Sequence, residues 1–323
     1  MQKNDSLKIL EKHIKAGDTV IAAISGGPDS VFLLDLCLKL RKRHPFKIIV
    51  AHVNHRLRGR ASDLDEQFVR QFAAKNNLAC KVKILDEIGK GNLEEVARNF
   101  RYEFFEQIRK KHHASWILTA HHRDDNIETV LFNLARGSSL NGIKGMRTCT
   151  EARHLLRPLL KISKTEILKS LHRKKIKYRL DSSNCDNRFS RNLLRNKIIP
   201  LLRRINGNFG SNLLELIGDL DEVAEFMERK TGEWLRQNTT KNGIPLDKFL
   251  RLPPVLQKTV LAGLYRKTHG STRKFNKKHL SQLLLALNRR KSGIKKEFGD
   301  RNFLTISKPA GSKERLIKIL STH

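Results

Sequence analysis

TVIAAISGGPDSV, residues 19–31, runs from a β-branched stretch through two glycines straight into a helical pattern. Thr19–Ser25 reads as a buried strand and Asp29–Arg43 as a helix. A strand that turns into a helix in this way aims backbone N–H groups and the positive helix end at one spot, which suits a phosphate. Gly26 and Gly27 let the chain turn tightly, and the hydroxyls of Ser25 and Ser30, on either side of Pro28, can add hydrogen bonds. The loop is not a Walker A motif, because no lysine follows it. Asp29 is out of place beside a phosphate unless a cation such as Mg²⁺ lies between them. A plain strand-to-helix turn would also use Gly, Pro, Asp and Ser; the acidic residue favours function.

Working outward, Lys47–Val53, Ala79–Leu85 and Ser115–Thr119 read as further buried strands. Between them lie the helical patterns Ser62–Asn76 and Asn92–Lys111, with Asn92 as N-cap and Glu94 and Glu95 in the first turn. This alternation predicts an α/β fold: a doubly wound, Rossmann-like parallel sheet with ligands at the carboxyl ends of the strands. From about Asn206 the pattern changes. Leu213–Leu235, Leu246–Leu250, Val255–Lys267 and His279–Leu287 read as helices, and Gly293–Lys308 as a hairpin. The expectation is a catalytic domain over 1–203 and a second, smaller, mostly helical basic domain over 204–323.

The 323 residues include 65 Lys and Arg against 32 Asp and Glu, a net charge of +33. Residues 1–203 carry 41 basic and 21 acidic side chains and residues 204–323 carry 24 and 11, so the excess is no mere tail. Between Lys248 and Lys296 there are 14 Lys or Arg and no acid. Such a field attracts polyanions, RNA above all; a generic solvated surface is the plain alternative. No apolar run approaches the roughly 20 residues that span a bilayer, and MQKNDSLKIL lacks the apolar core of a signal peptide. A cytoplasmic protein without a membrane partner is expected. Cys37, Cys80, Cys149 and Cys185 form no C-x-x-C pair, which argues against a zinc ribbon or a redox motif.

The stretch SGGPDS resembles the S-G-G-x-D-S pyrophosphate loop of the PP-loop ATPases, the adenine-nucleotide α-hydrolase-like superfamily. That resemblance implies ATP as co-substrate, cleaved between the α- and β-phosphates. Further blocks, in order, are AHVNHRLR (51–58), NLEEVARNFRY (92–102), TAHHRDDNIET (119–129), RGSSLNGIKGM (136–146), RPLL (157–160) and RNLLR (191–195). Together they resemble the tRNA(Ile)-lysidine synthase family over about residues 18–203. Longer members of that family carry an additional C-terminal domain.

Each block also has a reading of its own. His52, Asn54 and His55 end a strand and read as adenosine-pocket lining. Arg98 and Arg101 share a helix face and can meet a phosphate, or simply face solvent. Asp125 and Glu128 share another face and can bind an ammonium or accept a proton; zinc is disfavoured for want of spaced ligands. Arg191 and Arg195, one turn apart, can hold charge developing on a phosphoryl group. The resemblance implies that His121 and Asp125 match the family's active-site His and Asp. It also favours Arg195 over Arg191.

It implies, further, a reaction in which ATP and Mg²⁺ (at Asp29) adenylate the wobble cytidine of a CAU anticodon. The ε-amine of L-lysine would then displace AMP, with Asp125 taking the proton and His121 assisting adenylation. The tRNA would be gripped by the second domain. A homodimer is one option. A tRNA thiolase is disfavoured for want of a C-x-x-C or catalytic Cys, an amidotransferase-type synthetase by the charge of +33, and a non-catalytic RNA-binding module by the intact phosphate loop and His/Asp cluster.

Overall fold

The computed structural model describes residues 2–56, 59–85, 93–137, 143–180, 190–270, 275–289, 293–298, 302–309 and 314–321. Contacts divide the chain into two compact units. The first holds residues up to Gly137 and Gly145–Leu214; the second holds Lys144 and the residues from Glu215 onward.

The first unit is built on six strands: β1 (Thr19–Ala23), β2 (Lys47–Asn54), β3 (Ala79–Ile84), β4 (Trp116–Leu118), β5 (Cys149–Thr150) and β6 (Leu155–Leu156). Their order is β3-β2-β1-β4-β6-β5, parallel except for β5 against β6. The helices are α1 (Gln2–His13), α2 (Pro28–Arg41), α3 (Arg60–Lys75), α4 (Leu93–Lys111), α5 (Arg123–Ala135) and α6 (Lys164–Arg173).

Alternation along the central strands explains the layering. Val20, Ala22, Ile48 and Val50 point to a core shared with Phe32 and Leu36 of α2 and Val69 of α3. Ile21, Ile49 and Ala51 point the other way, onto Phe104, Phe105 and Ile108 of α4. A strand buried on both faces has no polar side, which is why these runs are continuously apolar. The doubly wound parallel sheet is thus as the sequence predicts. Chain order reverses between β1 and β4, so a crevice opens there at the carboxyl ends of the strands.

Two helices were not anticipated. α1 buries Leu7 and Leu10 on the first core, followed by Ile14. α6 starts at a capping box in which Ser163 and Glu166 satisfy each other's backbone N–H groups. After it come α7 (Ser190–Leu193), a π-helical turn (Leu194–Ile198) and α8 (Ile199–Ile205). The expected cap at Asn92 lies outside the described residues, as do the side chains of Glu94 and Glu95.

The helix α9 (Phe209–Asn238) runs into the second unit. There follow β7 (Ile244–Pro245), α10 (Leu246–Leu250), α11 (Pro254–His269), α12 (Lys277–Asn288), β8 (Ile294–Phe298), β9 (Asn302–Ser307) and β10 (Leu316–Ser321). The strands form an antiparallel sheet, β7-β10-β9-β8. Its apolar face, with Leu304, Ile306 and Ile317, packs on Phe249, Val260, Leu261 and Leu283 of the helices. The hairpin expected over 293–308 is β8–β9. The flanking β7 and β10 show that the helices cover a sheet, which the sequence revealed only in part.

Candidate active site

At the end of β1 the loop is tied together by its own serines. Ser30 Oγ donates to the Gly27 carbonyl at 2.9 Å, and Ser25 N donates to Ser30 Oγ at 3.2 Å. Gly26 sits at φ +90°, and a Cβ there would lie 3.4 Å from both Phe68 and Val69 of α3. The left-handed backbone, more than the space, demands glycine at this position. Gly27 is the N-cap of α2, Pro28 occupies its first turn, and Asp29 follows.

A cavity of about 310 Å³ lies at the strand ends where the order reverses. Its floor is Ser25, Asp29 and Ser30, and its walls include His52, His55, Arg98, Arg101, His121 and Asp125. Arg98 lies over the Tyr102 ring, 5.3 Å from its centroid. The histidines are neutral. Burial holds His121 down at about 3, helped by Arg157, Arg98 and Arg101. Burial and Arg101 bring His55 to about 4, and burial lowers His52. His52 Nδ1 is 2.8 Å from the Ile24 carbonyl, so that nitrogen carries the proton and donates. The positive potential of the cavity therefore comes from arginine, which suits a ligand with an anionic part and a flat polar part.

Across the crevice α5 begins at His122. The His122 N–H donates to Asp125 Oδ2 at 2.9 Å, and Asp125 N–H donates to His122 Nδ1 at 3.4 Å. His122 Nε2 lies 3.7 Å from Asp29 Oδ1 and 3.5 Å from Asp125 Oδ2. One helical turn on, Glu128 is buried and receives Arg195 in bidentate fashion, Nε at 2.6 Å and Nη2 at 2.8 Å. The same Nη2 reaches Asp125 Oδ1 at 3.3 Å. Burial raises the Glu128 carboxyl against the pull of Arg195, and the contact with Glu128 holds the guanidinium charged. Arg195 projects from the π-helical turn, a local widening often found where a functional side chain is re-aimed.

Asp124 faces the other way. Its carboxylate accepts the Lys164 N–H at 2.8 Å and Arg203 Nη2 at 2.6 Å. Burial would raise its pKa, but these bonds outweigh burial and hold it below the ordinary range. The Lys164 side chain continues to Asp29, its Nζ standing 2.7 Å from each carboxylate oxygen.

The structure thus brings Asp29, His121, Asp125, Arg98 and Arg101 to one cavity and stations Glu128 and Arg195 behind Asp125. The side chain of Arg191 lies outside the described residues. Asp29 has a cation beside it in this structure, the ammonium of Lys164. Among the described residues no group of three or more His, Cys, Asp or Glu is arranged to hold a metal. One carboxylate fits Mg²⁺ only alongside phosphate oxygens and water. The sequence does not single out Lys164 or Arg203, and His122 stands in it only within the block 119–129. The S-K-T-E pattern at 163–166 is a helix-start signature, and it would have placed Lys164 in a first turn.

Residues 1–202 match the PP-loop domain family. The chain belongs to that family. Among PP-loop relatives it is similar to the tRNA(Ile)-lysidine synthase of Geobacillus kaustophilus, 33% identical over 80% of this chain and 58% of that one. The protein of the same name from Chlorobaculum tepidum is 37% identical, covering 68% of this chain and 66% of the other. The chain spans about three fifths of the length of these curated relatives. In fold, the PP-loop unit is similar to the U34-tRNA thiolase NcsA of Methanococcus maripaludis, solved with its [4Fe-4S] cluster. The TM-score is 0.57 at 20% identity, over 68% of this chain and 78% of that one. Among the described residues no helix is long and apolar enough to cross a membrane.

Proposed function

We propose that this chain ligates free L-lysine to C2 of the wobble cytidine, position 34, in the CAU anticodon of tRNA(Ile), consuming ATP and releasing AMP and pyrophosphate. The observation that carries the reading is one cavity in which a phosphate loop, two arginines and a carboxylate backed by the Arg195 contact with buried Glu128 converge. The similarity to relatives named tRNA(Ile)-lysidine synthase supports the choice of substrates, and the charge of +33 suits a polyanion.

In this reading the triphosphate lies on Ser25–Ser30 with the nucleoside toward His52 and His55. A bound Mg²⁺, held by Asp29 together with the phosphates, would neutralise charge on the pyrophosphate. Cytosine O2 attacks the α-phosphorus and the bond to pyrophosphate breaks. Arg98, Arg101 and Arg195 are preorganised cations for the charge that develops. His121, being neutral, contributes a hydrogen bond and no charge. The lysine ε-amine then attacks C2, the C2–O bond breaks, AMP departs, and Asp125 takes the proton the amine must lose. An anticodon base is unpaired and can be splayed into such a cavity. The modified base would pair with A in place of G, shifting codon reading from AUG to AUA and charging from methionine to isoleucine.

The test is incubation with ATP, labelled lysine and an unmodified tRNA(Ile) transcript bearing CAU. Label must enter the tRNA only when ATP is present, and a CAU→GAU transcript must stay unlabelled. No incorporation into the CAU transcript defeats the reading.

A further inference from the structure

The phosphate loop has no lysine of its own, and the fold brings one to it from 135 positions further along the chain. Lys164 is the first residue of α6, and its ammonium stands 2.7 Å from both oxygens of Asp29. Asp29 itself lines the cavity between Ser25 and Ser30. We propose that Lys164 is the mobile cation of the phosphate loop. Its ammonium would leave Asp29 for the β- and γ-phosphates of a bound nucleoside triphosphate and stay with the pyrophosphate as it departs.

Three features favour this over a merely structural tie. First, the pair is partly solvated, with side-chain exposures of 38% for Lys164 and 26% for Asp29, so it contributes little to stability. Second, α6 is fastened without it. Ser163 and Glu166 close its first turn, the Lys164 N–H is held by Asp124, and Ile167 and Leu171 are fully buried. The backbone of Lys164 is thus fixed while its four-carbon stem remains free to swing. Third, a phosphate arriving on the loop would meet Asp29 as a like charge, and the ammonium already on that carboxylate is the nearest cation the protein shows there. A lysine acts on phosphate as a point charge and needs no fixed approach angle. Arg98 and Arg101 line the same cavity from α4, so a bound triphosphate would meet cations from two helices.

The inference rests on the nucleotide reading above, and the test separates the two. Binding of ATP, inorganic pyrophosphate and AMP is measured by calorimetry on the full chain, as wild type, Lys164→Met, Lys164→Arg and Asp29→Asn. The inference expects Lys164→Met to weaken ATP and pyrophosphate about 10- to 100-fold while AMP changes less than about 2-fold. It expects Lys164→Arg to recover most of the loss. Asp29→Asn, which frees the ammonium, should tighten pyrophosphate in the absence of metal. Far-ultraviolet circular dichroism and a thermal melt confirm that each variant is folded. Equal losses for ATP and AMP, or none for either, overturn the role of Lys164 while leaving the nucleotide reading intact. A wild-type chain that binds none of the three ligands overturns both.

Discussion

The two units use charge in opposite ways. In the PP-loop unit basic side chains meet acids at set distances: Lys164 with Asp29, Arg203 with Asp124, Arg195 with Glu128, Arg179 with Asp65. In the second unit seven acids lie on α9, and residues 239–323 carry 20 Lys and Arg against 4 acids. Lys258, Arg266, Lys267, Lys277, Lys278, Lys295 and Lys296 all stand exposed there. Paired charge fixes the position of a group to a fraction of an ångström. Crowded like charge creates a long-range field with little positional content. The first arrangement suits chemistry and the second suits the capture of a polyanion, so substitutions in the two units should fail differently.

The largest effect is expected at Glu128. Glu128→Ala removes the bidentate partner that aims Arg195 and should lower lysine incorporation about 10²- to 10³-fold. It should also cost about 1–2 kcal/mol of stability, less than for a fully buried pair because the Arg195 side chain is 39% exposed and keeps Asp125. Single-turnover AMP release and urea denaturation measure the two effects. Activity within about 3-fold of wild type would show that the pair is structural only.

Gly145 tests the frame around that pair. A Cβ there would fall 2.4 Å from Asn126 Oδ1, the oxygen that accepts the Met146 N–H, and φ is +70°. Gly145→Ala should cost about 1–3 kcal/mol and shift α5, lowering activity with little change in tRNA affinity. In the second unit, Lys277, Lys278, Lys295 and Lys296 changed together to Ala should reduce tRNA affinity about 10²-fold near physiological salt. The slope of log affinity against log salt should fall by about 3, with ATP binding unchanged. An unchanged slope would remove that surface from the RNA interface.

The mildest effect is on acid stability. His121 and His55 have folded-state pKa values lowered to about 3 and about 4 from an ordinary 6.5. The unfolded chain therefore binds protons that the folded chain refuses as pH falls below about 6.5. Stability present above that pH is lost progressively on acidification, down to the folded values. His121→Gln should flatten this dependence between pH 6 and 4 in denaturation curves, by close to one proton. An unaltered slope would mean that His121 is solvated and charged.

The PP-loop fold was legible because strands buried on both faces leave unbroken apolar runs and the glycine turn marks where the first one ends. The cavity wall was legible too, since Arg98 and Arg101 share a helix face and the residues after β2 and β4 must lie at the ligand edge. Lys164 and Arg203 were not. Their meeting with Asp29 and Asp124 depends on how α6 and α8 pack, and local periodicity does not report packing across 135 residues. The same limit hid β10, whose partners β7 and β9 are set by the register of a sheet and not by a neighbouring turn. His122 was hidden for another reason. A histidine is an uncommon helix cap, so its neighbour His121 drew the attention.

That cap ties heredity to chemistry. His122 and Asp125 close the first turn of α5 with one atom each, and the other polar atom of each side chain faces Asp29 or Arg195. A lineage cannot exchange either residue to try a new reaction without also loosening the start of the helix that holds Glu128. Changes to what surrounds α5, such as loop lengths and the exposed basic surface, leave that cap intact. An engineer seeking a different amine should redesign those surroundings and leave the cap in place.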